Sequence, residues 1–131
     1  MKHKYRVALI ILYDANGKFL LQKRTSDARL LPDYWAFFGG GIKDGERIEE
    51  AVYRETLEEI NYAPRSPRLI HMQNFRESGV SGFMYVFSES FEGDKSELRL
   101  KEGQDWGLFS IHEIKDLKME LNRILDKLDH K

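Results

Sequence analysis

The sequence predicts an α+β domain in which a mixed β-sheet lies between helices. Short apolar, strand-like runs precede, flank and follow one long amphipathic helix. The chain has 131 residues, close to the ~150-residue size of one domain, so we expect a single domain over 1–131. A chain of this size buries roughly two-thirds of its surface on folding, which is enough for a core without disulfides.

The first predicted elements are two strands, from Tyr5 to Tyr13 and from Phe19 to Lys23. The first run is too apolar and too rich in β-branched residues for a strand with one solvated face. We therefore expect it in the centre of the sheet, covered on both faces. Asn16 and Gly17 lie between the two runs and favour the positive φ of a hairpin turn, so the two strands should form a hairpin.

An aromatic run, a glycine triplet and a helix follow. The run from Tyr34 to Phe38 predicts a short strand that ends in a tight turn at Gly39–Gly41. From 46 to 60 the sequence has no glycine or proline, and apolar or threonine side chains recur at every fourth position, which predicts an amphipathic helix. Asn61 is expected to end this helix in the left-handed conformation, because asparagine is the usual substitute for glycine there.

The rest of the chain predicts more strands and a second helix. The strands are expected at 69–75, 82–88, 98–100 and 106–109, and the helix at 119–128.

Composition excludes several classes of function. The 21 basic and 22 acidic side chains nearly cancel, so no overall field would hold the chain on nucleic acid or an anionic membrane. The absence of cysteine excludes a disulfide scaffold, thiolate metal ligands and a cysteine nucleophile. The longest apolar stretch, Val7 to Tyr13, is far shorter than the ~20 residues of a membrane span. We expect a soluble, cytoplasmic protein.

Three glutamates of the predicted helix, Glu55, Glu58 and Glu59, lie three and four positions apart and so share one patch. Like charges at these separations repel unless a cation neutralises them. Carboxylate oxygens select magnesium, manganese or calcium. The glycine triplet before the helix brings bare backbone close to the patch, which suits a phosphate bridged by metal. A solvated acidic helix face and an ordinary glycine turn are the alternative interpretations.

The segment from 40 to 62 resembles the signature of the Nudix hydrolases. The required residue types stand at the required spacing at Gly40, Glu46, Arg54, Glu55, Glu58 and Glu59. Thr56 occupies an aliphatic position of the signature, Asn61 that of the terminal glycine, and Tyr62 the last aliphatic position. Phe38 stands where many members have proline. The resemblance implies the Nudix fold, an α/β/α arrangement with a mixed sheet.

The resemblance also implies roles for these residues. Magnesium, with manganese as an alternative, would be held by Glu55, Glu58 and Glu59 with help from a backbone carbonyl at Gly39 or Gly40. One of these glutamates, or Glu102, would deprotonate the attacking water. Arg54 would orient the carboxylates by a bidentate contact, and Glu46 would fix Arg54 or its loop.

Two further segments resemble the MutT-like nucleoside triphosphate pyrophosphohydrolases. The loop 101–104 is similar to a late loop of those enzymes, in which a glutamate, here Glu102, reaches the metal ions. Arg24 is similar in position to an arginine that contacts nucleotide phosphates. Substrate would also contact Gly39–Gly41 and Phe37, the latter with Tyr34 and Trp35 as a platform for a base. A surface glutamate, a solvated arginine and core aromatic rings are the alternatives.

The sequence therefore favours a magnesium-dependent pyrophosphohydrolase that cleaves a nucleoside diphosphate linked to a group X. The preferred substrate is a nucleoside triphosphate or a modified one, converted to the monophosphate and pyrophosphate. The alternatives are a nucleotide sugar or other diphosphate substrate, a Nudix-fold module that binds a nucleotide without hydrolysis, and a structural domain that binds a divalent ion or a partner. The expected partner is a small nucleotide rather than nucleic acid or membrane, and the chain could act as a monomer or a homodimer.

Overall fold

The computed structural model describes residues 5–23, 26–27, 35–77, 80–91, 105–110 and 113. Its elements are β1 Arg6–Tyr13, β2 Phe19–Lys23, β3 Trp35–Ala36, β4 Phe38–Gly41, α1 Ile48–Ile60, β5 Arg68–Glu77, β6 Val80–Ser90 and β7 Asp105–Phe109. The strands predicted at 69–75, 82–88 and 106–109 are confirmed as β5, β6 and β7. The strand predicted at 98–100 and the helix predicted at 119–128 lie outside the described residues.

In the part of the chain that the structure describes, β1 is the centre of a seven-stranded sheet. It pairs in parallel with β6 along its whole length, and antiparallel with β4 from Val7 to Ile10. At its end, Tyr13 pairs with Phe19 of β2. Because one pairing is parallel and the others are antiparallel, the predicted mixed sheet and the central position of its first strand are confirmed.

Side chains of β1 alternate between two hydrophobic clusters, one on each face of the sheet. Ala8, Ile10 and Leu12 pack in the first cluster, which includes the buried side of α1. Leu9 and Ile11 pack in the second cluster, which contains no residue of α1. Burial on both faces explains why β1 is apolar at every position rather than at alternate ones.

The predicted hairpin of β1 and β2 is confirmed, and β3 and β4 lie between its two arms. The Asp14 carboxylate accepts the backbone N–H groups of Asn16 and Lys18, each at 2.9 Å, which fixes the turn. Beyond the turn the arms diverge. Ala36 of β3 pairs with Gln22 of β2, and Phe38 of β4 pairs with Ile10 of β1.

The glycine triplet is therefore a strand, and the prediction of a tight turn at Gly39–Gly41 is wrong. All three glycines belong to β4 and pair with β1. Gly39 has a φ of 141°, and a Cβ placed on it would lie 2.1 Å from the carbonyl oxygen of Ala8. Glycine is required here because the backbones of the two strands approach more closely than a side chain would allow.

The helix α1 begins at Ile48, two residues later than predicted from the sequence, and ends at Ile60. Asn61 follows it at φ 58° and ψ 33°, and its N–H donates to the carbonyl of Leu57 at 3.0 Å. The predicted left-handed cap is thus confirmed. In the described part of the chain, no helix is long and apolar enough to cross a membrane.

The charge distribution of α1 is unfavourable at its C-terminal end. The first turn carries Glu49 and Glu50, which stabilise the positive end of the helix dipole. The last turn carries Glu58 and Glu59 and no basic residue. Carboxylates at the negative end of a helix are destabilising, so the end of α1 needs a partner that neutralises them.

Substitutions of Asn61 test the left-handed cap. An L-residue other than Asn or Gly in this conformation costs about 1–2 kcal/mol, so Asn61→Ala should lower the free energy of unfolding by about 1 kcal/mol. Asn61→Gly should match or exceed the wild-type value, since glycine has no Cβ. Urea denaturation measures all three proteins, with the exposed Asn16→Ala as control. Equal stability of the alanine and glycine variants would contradict the assignment.

Candidate active site

Two glutamates of α1 lie against the backbone of β4. The backbone N–H of Gly39 donates to Glu59 Oε1 at 2.8 Å, and the Glu59 side chain is largely buried, with 7% exposure. A Cβ placed on Gly40 would lie 2.2 Å from Glu55 Oε1, so the Glu55 carboxylate occupies the space that any larger residue would fill. The helix and the strand therefore bring two carboxylates and bare backbone together at one place.

Arg54 links this pair to the loop before the helix. Its guanidinium binds Glu46 through two hydrogen bonds, Nε to Oε2 at 2.8 Å and Nη2 to Oε1 at 3.0 Å. Nη1 donates to Glu55 Oε2 at 2.5 Å, and Nη2 donates to the carbonyl of Gly41 at 2.9 Å. The bidentate contact thus goes to Glu46, whereas Glu55 receives a single hydrogen bond. Arg54 holds the loop, the end of β4 and one carboxylate of the site in a fixed arrangement.

The same contacts change the acidity of the charged groups. The hydrogen bonds from Arg54, followed by the backbone N–H of Lys43, lower the pKa of Glu46 from 4.5 to about 2. The Glu46 carboxylate, followed by Glu55, raises the pKa of Arg54 above its usual value. Glu46 and Arg54 are therefore charged throughout the neutral pH range, and the site keeps its arrangement there.

Glu58 differs from its two neighbours. Its side chain is 58% exposed, and its carboxylate lies 3.7 Å from Arg54 Nη1. A contact of this length to a carboxylate that is more than half exposed contributes little, so Glu58 can leave it at small cost. Among the described residues, no three acidic or histidine side chains already form a complete set of metal ligands.

The groups present nevertheless suit a hard divalent cation. Glu55 and Glu59 offer carboxylate oxygens beside the backbone of Gly39 and Gly40, and Glu58 is on the same side of the helix. Such an oxygen-only set matches magnesium or manganese. A cation here would also neutralise the carboxylates at the unfavourable end of α1.

Several other site residues were predicted from the sequence, either for substrate contact or, at Glu102, for metal binding or catalysis. Arg24, Glu102 and Tyr34 lie outside the described residues. Phe37 is 2% exposed and packs in the second cluster, on the sheet face away from α1, which corrects the expectation that its ring contacts substrate. Trp35 packs against the same cluster, with its ring 4.9 Å from that of Phe109. Alternation along the strand puts both rings on the opposite face from Gly40.

One buried acidic residue was not predicted from the sequence. Glu89 of β6 is 8% exposed and accepts backbone N–H groups from Arg65 at 3.0 Å and Ser66 at 2.7 Å. It also accepts the hydroxyl of Tyr62. The sequence contained a signal for this residue, because Glu89 is two positions after the core residue Phe87 and so lies on the same face of the strand. A charge at a core-facing position requires partners.

The pKa shift of Glu46 predicts a pH-dependent contribution to stability. Because its pKa is lower in the folded protein than the ordinary 4.5, the contribution is complete above that pH and is lost as the pH falls towards 2. The difference in melting temperature between the wild type and Glu46→Gln should therefore shrink over this range. Thermal melts against pH measure it, with the exposed Glu49→Gln as control. A difference that does not change with pH would contradict the ion pair.

Solved structures with the same fold have low sequence identity to this chain. The MutT protein from Methanosarcina mazei Go1 superposes with a TM-score of 0.81 at 20% identity, covering 99% of this chain and 98% of that one. The NUDIX domain of Shewanella oneidensis NrtR, complexed with ADP ribose, gives 0.80 at 14% identity, with 99% and 90% covered. A bifunctional NMN adenylyltransferase/ADP ribose pyrophosphatase from Francisella tularensis, complexed with AMP and a Mn ion, gives 0.77 at 21% identity, with 99% and 42% covered. These likenesses establish the fold.

Sequence comparison identifies relatives and a family. The nucleoside triphosphatase NudI of Escherichia coli O139:H28 and that of Shigella flexneri are each 42% identical over 57 residues, or 44% of this chain. The match spans only 40% of the length of these relatives. Residues 2–128 match the NUDIX domain family. Because this match covers nearly the whole chain and the sheet and helix superpose on solved structures of the same fold, the chain belongs to the Nudix family.

Proposed function

We propose that this protein is a magnesium-dependent pyrophosphohydrolase that cleaves a nucleoside diphosphate linked to a group X. The observation that carries the proposal is the contact of Glu55 and Glu59 with the backbone of β4. All the acidic residues of the family signature are present, and Arg54 and Glu46 fix their surroundings. Manganese is the alternative ion, supported by the same oxygen ligands.

The residues of the site divide the work of hydrolysis. Glu55, held by Arg54, and Glu59, held by the Gly39 N–H, are positioned to bind a cation. When bound, a divalent cation acidifies the attacking water and neutralises the charge on the diphosphate. Glu58, which is exposed, can complete the ligand set or accept the proton of the water; Glu102 is the alternative base. With a nucleoside triphosphate, the water oxygen would bond to the α-phosphorus and its proton would pass to a carboxylate. The anhydride bond to the β-phosphate would break, with pyrophosphate as leaving group.

The preferred substrate is a nucleoside triphosphate, or a modified one, which yields the monophosphate and pyrophosphate. Two observations support this choice: the local similarity to relatives named nucleoside triphosphatases, and the resemblance of the segments around Arg24 and Glu102 to MutT-like enzymes. We further propose a single cytoplasmic domain whose partner is a small nucleotide rather than nucleic acid or membrane. Backbone groups of Gly39–Gly41 would contact the phosphates.

A coupled phosphate assay tests the proposal. Nucleoside triphosphates, nucleotide sugars and ADP-ribose are each incubated with the protein and magnesium, once with inorganic pyrophosphatase and once with a phosphatase. Phosphate that appears with pyrophosphatase, and not without a coupling enzyme, supports a triphosphate substrate, because pyrophosphate is then a product. Phosphate that appears only with the phosphatase would replace it with a nucleotide sugar or related diphosphate. Nucleotide binding without release under any condition would overturn hydrolysis in favour of a binding module.

Glu59→Gln tests the carboxylate patch. Turnover should fall by at least about 100-fold, since the charge that holds the cation is lost, while the fold persists because the amide oxygen still accepts the Gly39 N–H. The rise in melting temperature on adding magnesium should also shrink. Glu49→Gln, on the exposed first turn of the same helix, is the matched control. Wild-type turnover in Glu59→Gln would remove the patch from the mechanism.

Gly40→Ala tests the contact between β4 and Glu55. The added methyl displaces the end of a flexible side chain, so the change in stability should stay within about 1 kcal/mol. Displacing a metal ligand should nevertheless lower turnover by about 10-fold or more. The control is Gly41→Ala, whose methyl would meet only Tyr5 Cε1 at 3.9 Å and which should keep more activity. Equal rates for the two variants would show that Glu55 does not act from this position.

A further inference from the structure

The C-terminal end of α1 carries two glutamates of the proposed site, and something must hold it in place. Helix ends fray because their last carbonyls have no partner within the helix. At this end, the repulsion of Glu58 and Glu59 from Glu55, three and four positions earlier, and the helix dipole both favour fraying. Arg54 and Glu46 clamp the first half of the helix. In the last turn Glu59 accepts the Gly39 N–H and Ile60 is buried, so the part of this end that still has to be fixed is the loop that follows the helix.

Glu89 binds the loop that follows α1. Its Oε1 accepts two consecutive backbone N–H groups, from Arg65 and Ser66, and its Oε2 accepts the hydroxyl of Tyr62. Glu89 itself lies in β6, opposite Leu12 of the central strand. A single buried carboxylate therefore joins three points of the loop to the strand that pairs with β1 along its whole length.

Tyr62 connects this carboxylate to the helix. It follows the cap residue Asn61 directly and is three positions beyond Glu59. Its ring packs edge-on against Phe91, with the centroids 5.6 Å apart, while its hydroxyl donates to Glu89. The contact between the rings is apolar, whereas the hydrogen bond from the Tyr62 hydroxyl is directional. The hydrogen bond therefore fixes the orientation of the helix end and its distance from the sheet.

We propose that Glu89 and Tyr62 are positioning residues that set the metal affinity of the site by holding the last turn of α1. The inference rests on the proposed function, in which Glu59 binds a divalent cation with Glu55, and Glu58 completes the ligand set or accepts the proton of the water. In this proposal both residues act through the last turn of α1 and are not themselves ligands of the metal. Their effect arises because a ligand set held in place before the ion binds loses less conformational freedom on binding.

The experiment measures manganese affinity of the complete chain without nucleotide, by electron paramagnetic resonance titration. Tyr62→Phe removes the hydroxyl and keeps the ring against Phe91, so it should fold and should bind Mn²⁺ about 3- to 10-fold more weakly, less than the 10- to 100-fold typical of direct partners of ligands. Tyr53→Phe removes the hydroxyl of an exposed tyrosine of α1 and is the matched control.

Two variants of Glu89 separate positioning from simple charge. Glu89→Gln removes the charge, yet its amide oxygen can still accept the two loop N–H groups. Glu89→Ala removes both. Positioning predicts that Glu89→Gln keeps more Mn²⁺ affinity than Glu89→Ala, and that Tyr62→Phe combined with Glu89→Ala is no weaker than Glu89→Ala alone. Thermal melts show that the titrations are done on folded protein.

Each outcome bears on one proposal. Equal Mn²⁺ affinity of Tyr62→Phe and the wild type would overturn the positioning role, as would identical losses in Glu89→Gln and Glu89→Ala, which would indicate long-range charge instead. Absence of Mn²⁺ binding by the wild type would instead overturn the metal site of the proposed function. If the wild type binds Mn²⁺ but hydrolyses no nucleotide, the positioning role can still be tested, because the titration needs no turnover.

Discussion

The contact between α1 and β4 is the constraint on which the site depends. In the proposed function the helix presents carboxylates to a cation, while its own dipole and their mutual repulsion oppose that placement. The glycine backbone of β4 offsets part of this repulsion. Gly39 donates its N–H to Glu59, and Gly40 leaves space that the Glu55 carboxylate fills. A divalent cation would neutralise the charge that remains. The proposed chemistry and the stability of the helix end therefore depend on the same groups.

The rest of the fold keeps these two elements in register. β1 is buried on both faces and pairs with β4 on one side and β6 on the other. The glycines of β4 and Glu89 of β6 are therefore both positioned by pairing with the same strand. Arg54 and Glu46 fix the loop and the first half of α1. The left-handed cap at Asn61 and the loop held by Glu89 fix its other end. The helix that carries the proposed metal ligands is thereby attached at both ends to the sheet.

Much of this could be predicted from the sequence, since periodicity and turn chemistry are local properties. The hairpin, the helix, its cap and the spacing of the glutamates all follow from neighbours along the chain. The pairing of β4 with β1 could not be predicted, because three glycines carry no alternation that marks a strand. Phe37 was assigned to substrate contact because aromatic composition is visible in sequence, whereas the sheet face that it occupies depends on the pairing partner. The loop partners of Glu89 are equally non-local.

The central claim is that a divalent cation binds where α1 meets β4. Its most direct test is the crystal structure of the protein with Mn²⁺, in which anomalous scattering locates the ion independently of any assumed ligand. The account predicts an anomalous peak within metal–oxygen bonding distance of both Glu55 and Glu59. A structure in which Mn²⁺ binds only elsewhere, with these two carboxylates still held by Arg54 and Gly39, would contradict it.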